Sequence, residues 1–305
     1  MFRHRLWATA LLLLTACSNV SNPAPSESTS AGAEGGGAIA ACPDTLSFAV
    51  TDIPGEERLK DEFGPFQDQL SELLGRAIEL FPVSNHVAAT PALMFDQVDL
   101  ALAGPSEYVL MNAQADAVPV VGITRPGYYT VLLVKAGSDI TSIDEMKGKI
   151  LGIREEGSTA GHLGVLRILT EAGIDPKADV ELKVIGDDSG LTELLDGKID
   201  IWADASTRYQ RVLGEEGLDE AEFAIPVQGE QLPNDIIVAN PSLDPDCLVA
   251  VQTRVVENEQ IIMEAILASP ANQKYAESEM VAAKDEDYEI IREGYKIIGE
   301  ESYLK

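Results

Sequence analysis

The chain has few cysteines, few histidines and few basic residues, and each shortage excludes a class of protein. Its 305 residues include three Cys and three His, with no Cys-x-x-Cys or His-x-x-x-His spacing, so we expect neither a metal site nor another cofactor. Only 22 Lys and Arg residues stand against 51 Asp and Glu, which gives a net charge of −29. That charge repels nucleic acid and anionic lipid headgroups, and it otherwise indicates a strongly solvated surface.

The chain also lacks a long apolar run. No stretch approaches the ~20 apolar residues that a membrane-spanning helix needs. The stretch from Leu6 to Leu14 is short, follows the basic residues Arg3 and Arg5, and ends at Leu-Thr-Ala-Cys17. This pattern is typical of a bacterial lipoprotein signal peptide. We therefore predict a signal peptide over residues 1–16 and a lipidated Cys17 that anchors the protein to a membrane outside the cytoplasm.

The segment after Cys17 is almost devoid of large apolar residues. Residues 18–41 consist mainly of Ser, Pro, Gly, Ala and Glu, so residues 17–43 are predicted to form a lipidated, disordered tether. If Cys17 carries lipid, Cys42 and Cys247 remain as an even pair in an oxidising compartment. These two residues either form a disulfide or stay as free thiols, and the sequence leaves both outcomes open.

From about residue 44 onward, predicted strands alternate with predicted helices. The strands are predicted over 46–50, 77–83, 98–103, 118–123, 129–134, 149–153, 180–185 and 199–202. Helices are predicted before Gly75, from 158 to 172, from 191, and, in the last third, over 246–266 and 285–298. This order predicts an α/β protein with two lobes, each a mainly parallel sheet flanked by helices.

Two similar segments support two related lobes. The sequence DQVDL at 96–100 leads to Ser106, and GKIDI at 197–201 leads over the same distance to Thr207. Each hydroxyl can cap the helix that follows it, and two such caps that face each other across a cleft would form an anion site without any basic residue. The alternative is that both are ordinary caps that face water.

The strongest chemical signal is the segment EGSTAGH at 156–162, between a predicted strand and a predicted helix. Gly157 permits a close approach of the backbone to a ligand, Ser158 and Thr159 offer hydroxyl donors, and the first helical turn adds backbone N–H groups. The segment has neither the Gly-Lys-Ser/Thr ending of a Walker loop nor a Gly-x-Gly-x-x-Gly pattern. It therefore predicts an oxyanion cradle, the alternative being a helix cap without a ligand.

These segments, in this order, resemble the phosphonate-, phosphite- and phosphate-binding proteins of ABC importers. The resemblance extends from about residue 46 to 270 and depends on Phe66 with 70–75, 97–100 with 103–108, 157–161, and 232–235. It implies a hinged, two-lobed periplasmic-binding-protein fold of type II, with lobe 1 formed by 44–133 and 236–305 and lobe 2 by 134–235. It also implies a monomeric, non-enzymatic protein that captures a small phosphorus oxyanion and delivers it to a membrane permease and its ATPase.

The same resemblance implies a set of ligand-binding residues. The family's Ser-Thr-Ser-Gly cradle falls on Ser158, Thr159, Ala160 and Gly161, where Ala160 loses one hydroxyl. The other implied positions are His86 near a family tyrosine, Ser106 and Tyr108 beside the cleft, Asp187 or Asp188 near a family histidine, Thr207 near a family glutamate, and Asp235 at a late family aspartate.

The expected role of Asp235 follows from its charge. An ionised carboxylate only accepts hydrogen bonds, so Asp235 would select a ligand with a P–OH or an ammonium group. Asp187, Asp188 and Asp204 could add recognition of an amine, or they could be solvated loop carboxylates. Trp202 is expected either to report lobe closure by fluorescence or to be a plain core residue.

Three other functions compete with this assignment. The same fold could bind a sulfonate, a thiamine-like compound or a zwitterion, or a lipoprotein of this kind could report ligand binding to a membrane signalling partner. An enzyme would use His162 and Ser158 as base and nucleophile. The enzyme hypothesis is disfavoured because no Gly-x-Ser-x-Gly elbow, oxyanion hole or orienting acid accompanies this pair.

Overall fold

A computed structural model describes residues 39–186 and 188–305. The predicted signal peptide, Cys17, nearly all of the predicted tether and Asp187 lie outside the described residues. Within these ranges, no helix is long and apolar enough to cross a membrane.

Strands and helices alternate through most of the described chain, as the sequence predicts. The strands are β1 (Thr45–Pro54), β2 (Ala77–Val83), β3 (Leu100–Ala103), β4 (Val118–Ile123), β5 (Tyr129–Lys135), β6 (Ile150–Ile153), β7 (Glu181–Val184), β8 (Ile201–Ala205), β9 (Phe223–Gln231), β10 (Asp235–Ala239) and β11 (Met280–Val281). The α-helices are α1 (Glu56–Leu74), α2 (Ala89–Met94), α3 (Pro105–Ala115), α4 (Val165–Glu171), α5 (Gly190–Leu195), α6 (Ser206–Glu216), α7 (Pro245–Glu257), α8 (Glu259–Leu267) and α9 (Glu289–Ile297).

The first lobe contains a six-stranded sheet in the order β11-β4-β10-β3-β1-β2. β1 pairs in parallel with β2 and β3, whereas β10 and β11 run antiparallel to their neighbours. The apolar face of α1 packs on this sheet, with the Phe48 and Phe66 rings 5.0 Å apart, and α7 and α8 complete the core of this side. A disulfide joins Cys42, just before β1, to Cys247 in α7.

The second lobe contains a five-stranded sheet in the order β7-β6-β8-β5-β9. β6 is parallel to β7 and β8, and β5 is antiparallel to both β8 and β9. The predicted lobe boundary at 133/134 assigned β5 to the first lobe. Its pairing instead assigns it to the second sheet, so the chain crosses between the lobes at residues 124–128 and returns at 232–234.

The α/β class and the two-lobed fold are confirmed, but both sheets are mixed. The sequence did not predict β9, β10 or β11. β9 lies at a sheet edge and is largely exposed, and its sequence FAIPVQGEQ lacks the apolar alternation that identified other strands. β10 is fully buried, and it continues directly from the segment that crosses between the lobes.

The predicted helix over 158–172 has two parts. Thr159–Gly164 forms a π-helix and α4 continues from Val165, before Gly173 ends the segment with φ of 73°. π-Helical turns are rare and occur frequently at functional sites. This one begins at the segment predicted to bind an oxyanion.

Candidate ligand-binding cleft

A cleft of about 1100 Å³ lies between the two sheets. Four charged residues of its walls lie at or just beyond the carboxyl end of a strand: Asp52 in β1, Arg125 after β4, Arg154 after β6 and Asp204 in β8. Ligands of open α/β sheets bind at this edge. The topology therefore places these side chains where a ligand is expected.

The two lobes meet at a direct hydrogen bond between Ser106 and Thr159. Ser106 lies in the first turn of α3, and its backbone N–H donates to Thr159 Oγ1 at 3.0 Å. The two hydroxyl oxygens are 2.7 Å apart, and Ser106 Oγ also donates to the carbonyl of Gly157 at 2.5 Å. Both predicted oxyanion-binding segments thus come together at one point, where the N-terminus of α3 contributes a positive dipole end.

A buried carboxylate, Glu107, lies beside this contact. Its Oε2 lies 2.9 Å from Ser106 Oγ and its Oε1 is 2.8 Å from His86 Nδ1. Burial disfavours the protonated imidazole, but the hydrogen bond and the charge of Glu107 outweigh it and raise the pKa of His86. The Glu107 carboxylate therefore favours the protonated form of His86, which lines the wall of the cleft.

Ser158, Thr159 and Ala160 line the cleft at the start of the π-helix. The first helical turn leaves the N–H groups of residues 159–161 without intrahelical acceptors. Gly157 has φ of 91° and lies against Val87, which a Cβ would approach to 2.8 Å. Gly161 packs directly against the side chain of Arg154, because a Cβ at Gly161 would be 2.2 Å from Cγ of Arg154. The absence of a side chain at Gly161 therefore leaves room for Arg154.

Arg125 occupies the crossing segment between the lobes and is 7% exposed. Its NH1 donates to both oxygens of Asp235 at 3.2 Å, and its NH2 donates to Thr207 Oγ1 at 3.0 Å. The guanidinium lies 3.7 Å from the ring centroid of Tyr128, and Tyr275 donates its hydroxyl to Asp235 at 2.6 Å. Arg125 thus connects the first lobe, through Asp235, to the second, through Thr207.

The second-lobe wall carries three arginines, at positions 154, 208 and 211. Arg208 Nε is 3.3 Å from Asp204, and Arg211 donates to Asp188 at 2.8 Å. Burial raises the pKa of Asp204, although Arg208 and Arg154 act in the opposite direction. Asp188 shows the reverse balance, because Arg208 and Arg211 outweigh burial and lower its pKa.

On the first-lobe side of the cleft, Lys274 and Asp52 form an ion pair. Loss of water disfavours the ionised carboxyl, but the charge and hydrogen bond of Lys274 outweigh it and hold the pKa of Asp52 below its ordinary value. Lys274 Nζ is also 4.0 Å from Asp235. Asp52 is therefore an ionised group with an internal partner.

The structure brings most of the sequence-predicted residues to the cleft. Those that line it are His86, Ser158, Thr159, Ala160, Asp188, Asp204, Thr207 and Asp235. Ser106 is fully buried in the contact between the lobes, and Gly161 supports the wall from behind. Asp187 lies outside the described residues.

The structure contradicts the expectation for Tyr108 and decides between the two alternatives for Trp202. Tyr108 does not face the cleft, because it follows Ser106 by two residues and points to the opposite side of α3, where its hydroxyl donates to Asp285 at 2.6 Å. Trp202 is fully buried in the second-lobe core and is absent from the cleft wall. The alternative of a plain core residue is the correct one.

The expectation of an anion site without basic residues is also wrong. Arg125, Arg154 and Arg208 line the cleft, together with Glu107 and Lys274, which the sequence reasoning also missed. The sequence contained a signal for two of them, because Arg125 and Arg154 come within two residues of the ends of predicted strands. Tyr275 and Lys274 come from a distant 3₁₀ segment, Pro270–Tyr275, whose return to the cleft only the tertiary fold determines.

The Ser158–His162 pair of the enzyme hypothesis does not converge on one site. Ser158 lines the cleft, whereas His162 lines a separate groove of about 1090 Å³ that includes Leu166 and Tyr303. Burial lowers the pKa of His162. The geometry therefore does not assemble a base and a nucleophile around one ligand.

Comparisons with known proteins agree with this geometry. A family model described as "ABC transporter, phosphonate, periplasmic substrate-binding protein" matches residues 48–288. The phosphate-import protein PhnD of Mycolicibacterium smegmatis is 24% identical over 270 residues, which cover 83% of this chain and 81% of the relative. The phosphonates-binding periplasmic protein of Escherichia coli is 25% identical over 126 residues, or 39% of this chain and 37% of that protein.

Solved structures show the same fold. The binding component of a phosphonate ABC transporter from Pseudomonas aeruginosa superposes with a TM-score of 0.70 at 16% identity, covering 84% of this chain and 86% of that one. PhnD1 of Prochlorococcus marinus, solved with methylphosphonate, superposes with a TM-score of 0.69 at 16% identity, covering 84% of this chain and 99% of that one. The chain belongs to the family of periplasmic substrate-binding proteins of phosphonate ABC transporters.

Proposed function

We propose that this protein is the lipid-anchored substrate-binding protein of an ABC importer and captures a phosphonate, phosphite or related phosphorus oxyanion in the cleft between its lobes. Closure of the lobes on the ligand would generate the form that the permease recognises. The methylphosphonate complex of a structural neighbour and the similarity to a phosphate-import protein are consistent with a ligand of this class.

The observation that carries the proposal is the meeting of Ser106 and Thr159 at the N-terminus of α3. Each residue belongs to a different lobe, so their contact places the π-helical turn of the second lobe beside the N-terminus of α3 in the first. An oxyanion bound here would interact with the hydroxyl of Ser158 and with N–H groups of the π-helical turn and would lie near the dipole of α3. The hydrogen-bond donors thus come from the second lobe, and the first lobe adds the dipole end of α3.

Charge also favours an oxyanion. His86, whose pKa is raised, lines the first-lobe wall, and Arg154 lines the second-lobe wall. Arg154 is cationic and the protonated form of His86 is favoured, in a chain whose net charge is −29. Their concentration at the cleft would offset the repulsion that the acidic surface exerts on an anionic ligand.

Calorimetric titration of the purified mature protein tests ligand capture. The ligands are methylphosphonate, phosphite, phosphate and methanesulfonate, and the variants are Ser158→Ala and, as a matched control away from the cleft, Ser242→Ala. We expect one phosphorus compound to bind, and Ser158→Ala to weaken it by about tenfold to a hundredfold because a hydrogen bond to a charged group is lost. The absence of heat with every phosphorus compound would contradict the proposal.

Lipid anchoring has its own test. Growth of the producing bacterium with radiolabelled palmitate should label the wild-type protein and leave Cys17→Ala unlabelled. The wild type should then sediment with membranes. A soluble, unlabelled wild-type protein would contradict the anchor and leave ligand capture unaffected.

A further inference from the structure

The carboxylates of the cleft are already paired with basic side chains of the protein itself. Among the described residues that line the cleft, each carboxylate other than that of the exposed Glu277 has such a partner. The innermost pairs are Asp235 with Arg125, Glu107 with His86, Asp52 with Lys274, Asp204 with Arg208, and Asp188 with Arg211.

Because it is already paired, Asp235 is poorly available to the ammonium group of a ligand. It is 2% exposed, and both of its oxygens accept from Arg125 at 3.2 Å, while Oδ2 also accepts from the hydroxyl of Tyr275 at 2.6 Å. The ammonium of a ligand could reach this carboxylate only by displacing Arg125. Displacement would also break the bond of Arg125 to Thr207 and its contact with the Tyr128 ring.

Arg125 also retains an unused donor. Its Nε is buried and has no hydrogen-bond partner. A buried cationic donor without an acceptor favours an anionic or neutral group nearby and disfavours a second cation. The surroundings of the Asp235–Arg125 pair therefore favour an additional oxygen acceptor over an amine.

From these pairs we infer that Arg125 determines specificity, by making the cleft selective for phosphorus oxyanions without a cationic substituent and against aminoalkylphosphonates. This inference rests on the proposed function and narrows its ligand class. It also replaces the expectation that Asp235, Asp188 and Asp204 recognise an amine, because Asp235 and Asp188 accept hydrogen bonds from arginines and Asp204 Oδ2 lies 3.3 Å from Arg208 Nε.

The test compares two ligands of nearly equal size. Propylphosphonate and 2-aminoethylphosphonate differ mainly in a terminal methyl group that is replaced by an ammonium group. Calorimetric titration of the mature wild-type protein should give an affinity for propylphosphonate at least about tenfold higher, because the ammonium loses water and gains no acceptor. Equal affinities, or a preference for the amine, would overturn the inference and leave the proposed function intact.

A variant reverses the selectivity. Arg125→Gln removes the arginine partner of Asp235 and leaves Lys274 Nζ, 4.0 Å away, as its nearby cation. The affinity for 2-aminoethylphosphonate should therefore increase about tenfold or more relative to the affinity for propylphosphonate. The double variant Arg125→Gln with Asp235→Asn should lose that gain. Circular dichroism verifies that both variants fold, and if Arg125→Gln does not fold, the wild-type comparison alone decides. Binding of neither ligand by the wild type, nor of the smaller oxyanions, would overturn the inference together with the proposed function.

Discussion

Thr159 of the second lobe caps the N-terminus of a first-lobe helix through Ser106. Its hydroxyl oxygen accepts the backbone N–H of Ser106 at 3.0 Å and lies 2.7 Å from the Ser106 hydroxyl. A capping group normally comes from the residue just before the helix. Here the capping residue lies 53 positions further along the chain than Ser106. Formation of this helix end therefore depends on contact between the lobes.

Replacement of Thr159 by Val should therefore destabilise the protein. Val has nearly the same shape but no hydroxyl, and the Ser106 N–H would lose its acceptor. We expect the free energy of unfolding to fall by about 1–3 kcal/mol in denaturant titrations. Thr159→Ser keeps the hydroxyl and should retain most of this stability. A Val variant as stable as the wild type would show that the cap contributes nothing.

Gly161 should not tolerate a side chain. A Cβ there would lie 2.2 Å from Cγ of Arg154 and 3.2 Å from Asp204 Oδ1. We expect Gly161→Ala to cost about 1–3 kcal/mol in thermal or denaturant unfolding because the arginine must move. Gly214→Ala is the matched control, since no atom lies within 4 Å of its Cβ and alanine favours the helix by up to about 1 kcal/mol. Similar effects of the two changes would contradict the packing at Gly161.

The disulfide between Cys42 and Cys247 should contribute strongly to stability. It joins residues 205 positions apart, so it restricts a large loop of the unfolded chain. Replacement of both cysteines by serine should lower the free energy of unfolding by about 3–5 kcal/mol. Titration of free thiols in the unfolded, unreduced wild type should detect neither Cys42 nor Cys247. Two reactive thiols from these residues would contradict the pairing.

The His86–Glu107 pair should make stability depend on pH. Because the pKa of His86 is raised on folding, the folded protein holds this proton more tightly than the unfolded chain does. The resulting stabilisation is fully present below the ordinary histidine pKa of about 6.5 and is lost as pH rises through the raised value. The stability difference between wild type and His86→Gln, measured by denaturant unfolding, should therefore shrink toward alkaline pH. His162 is present in both proteins, so its contribution cancels, and a constant difference would contradict the pairing.

The sequence predicted much of the fold because it depends on local patterns. Apolar strands, the apolar face of α1 and the glycines that end helices are all visible in a short window. The edge strand β9 lacks this alternation, and the membership of β5 in the second sheet depends on pairing with strands far along the chain. Topology of this kind cannot be read from a window of ten residues.

The part of the site that depends on local sequence patterns was predicted, and the part that depends on distant partners was not. Hydroxyl and glycine patterns identified Ser106, Ser158 and Thr159, because helix caps have local signatures. The partners of Asp235 could not be found in this way, since Arg125 lies 110 residues before it and Tyr275 lies 40 residues after it. Because Asp235 accepts hydrogen bonds from these two partners, its role is to pair with Arg125 and not to bind an ammonium group of the ligand.

The position of the phosphorus atom in a crystal structure of the complex with methylphosphonate tests the central claim most directly. We predict that its oxygens lie within hydrogen-bonding distance of the Ser158 hydroxyl and of a backbone N–H in residues 159–161, near the N-terminus of α3. Methylphosphonate bound in the groove lined by His162, or nowhere between the lobes, would contradict the account.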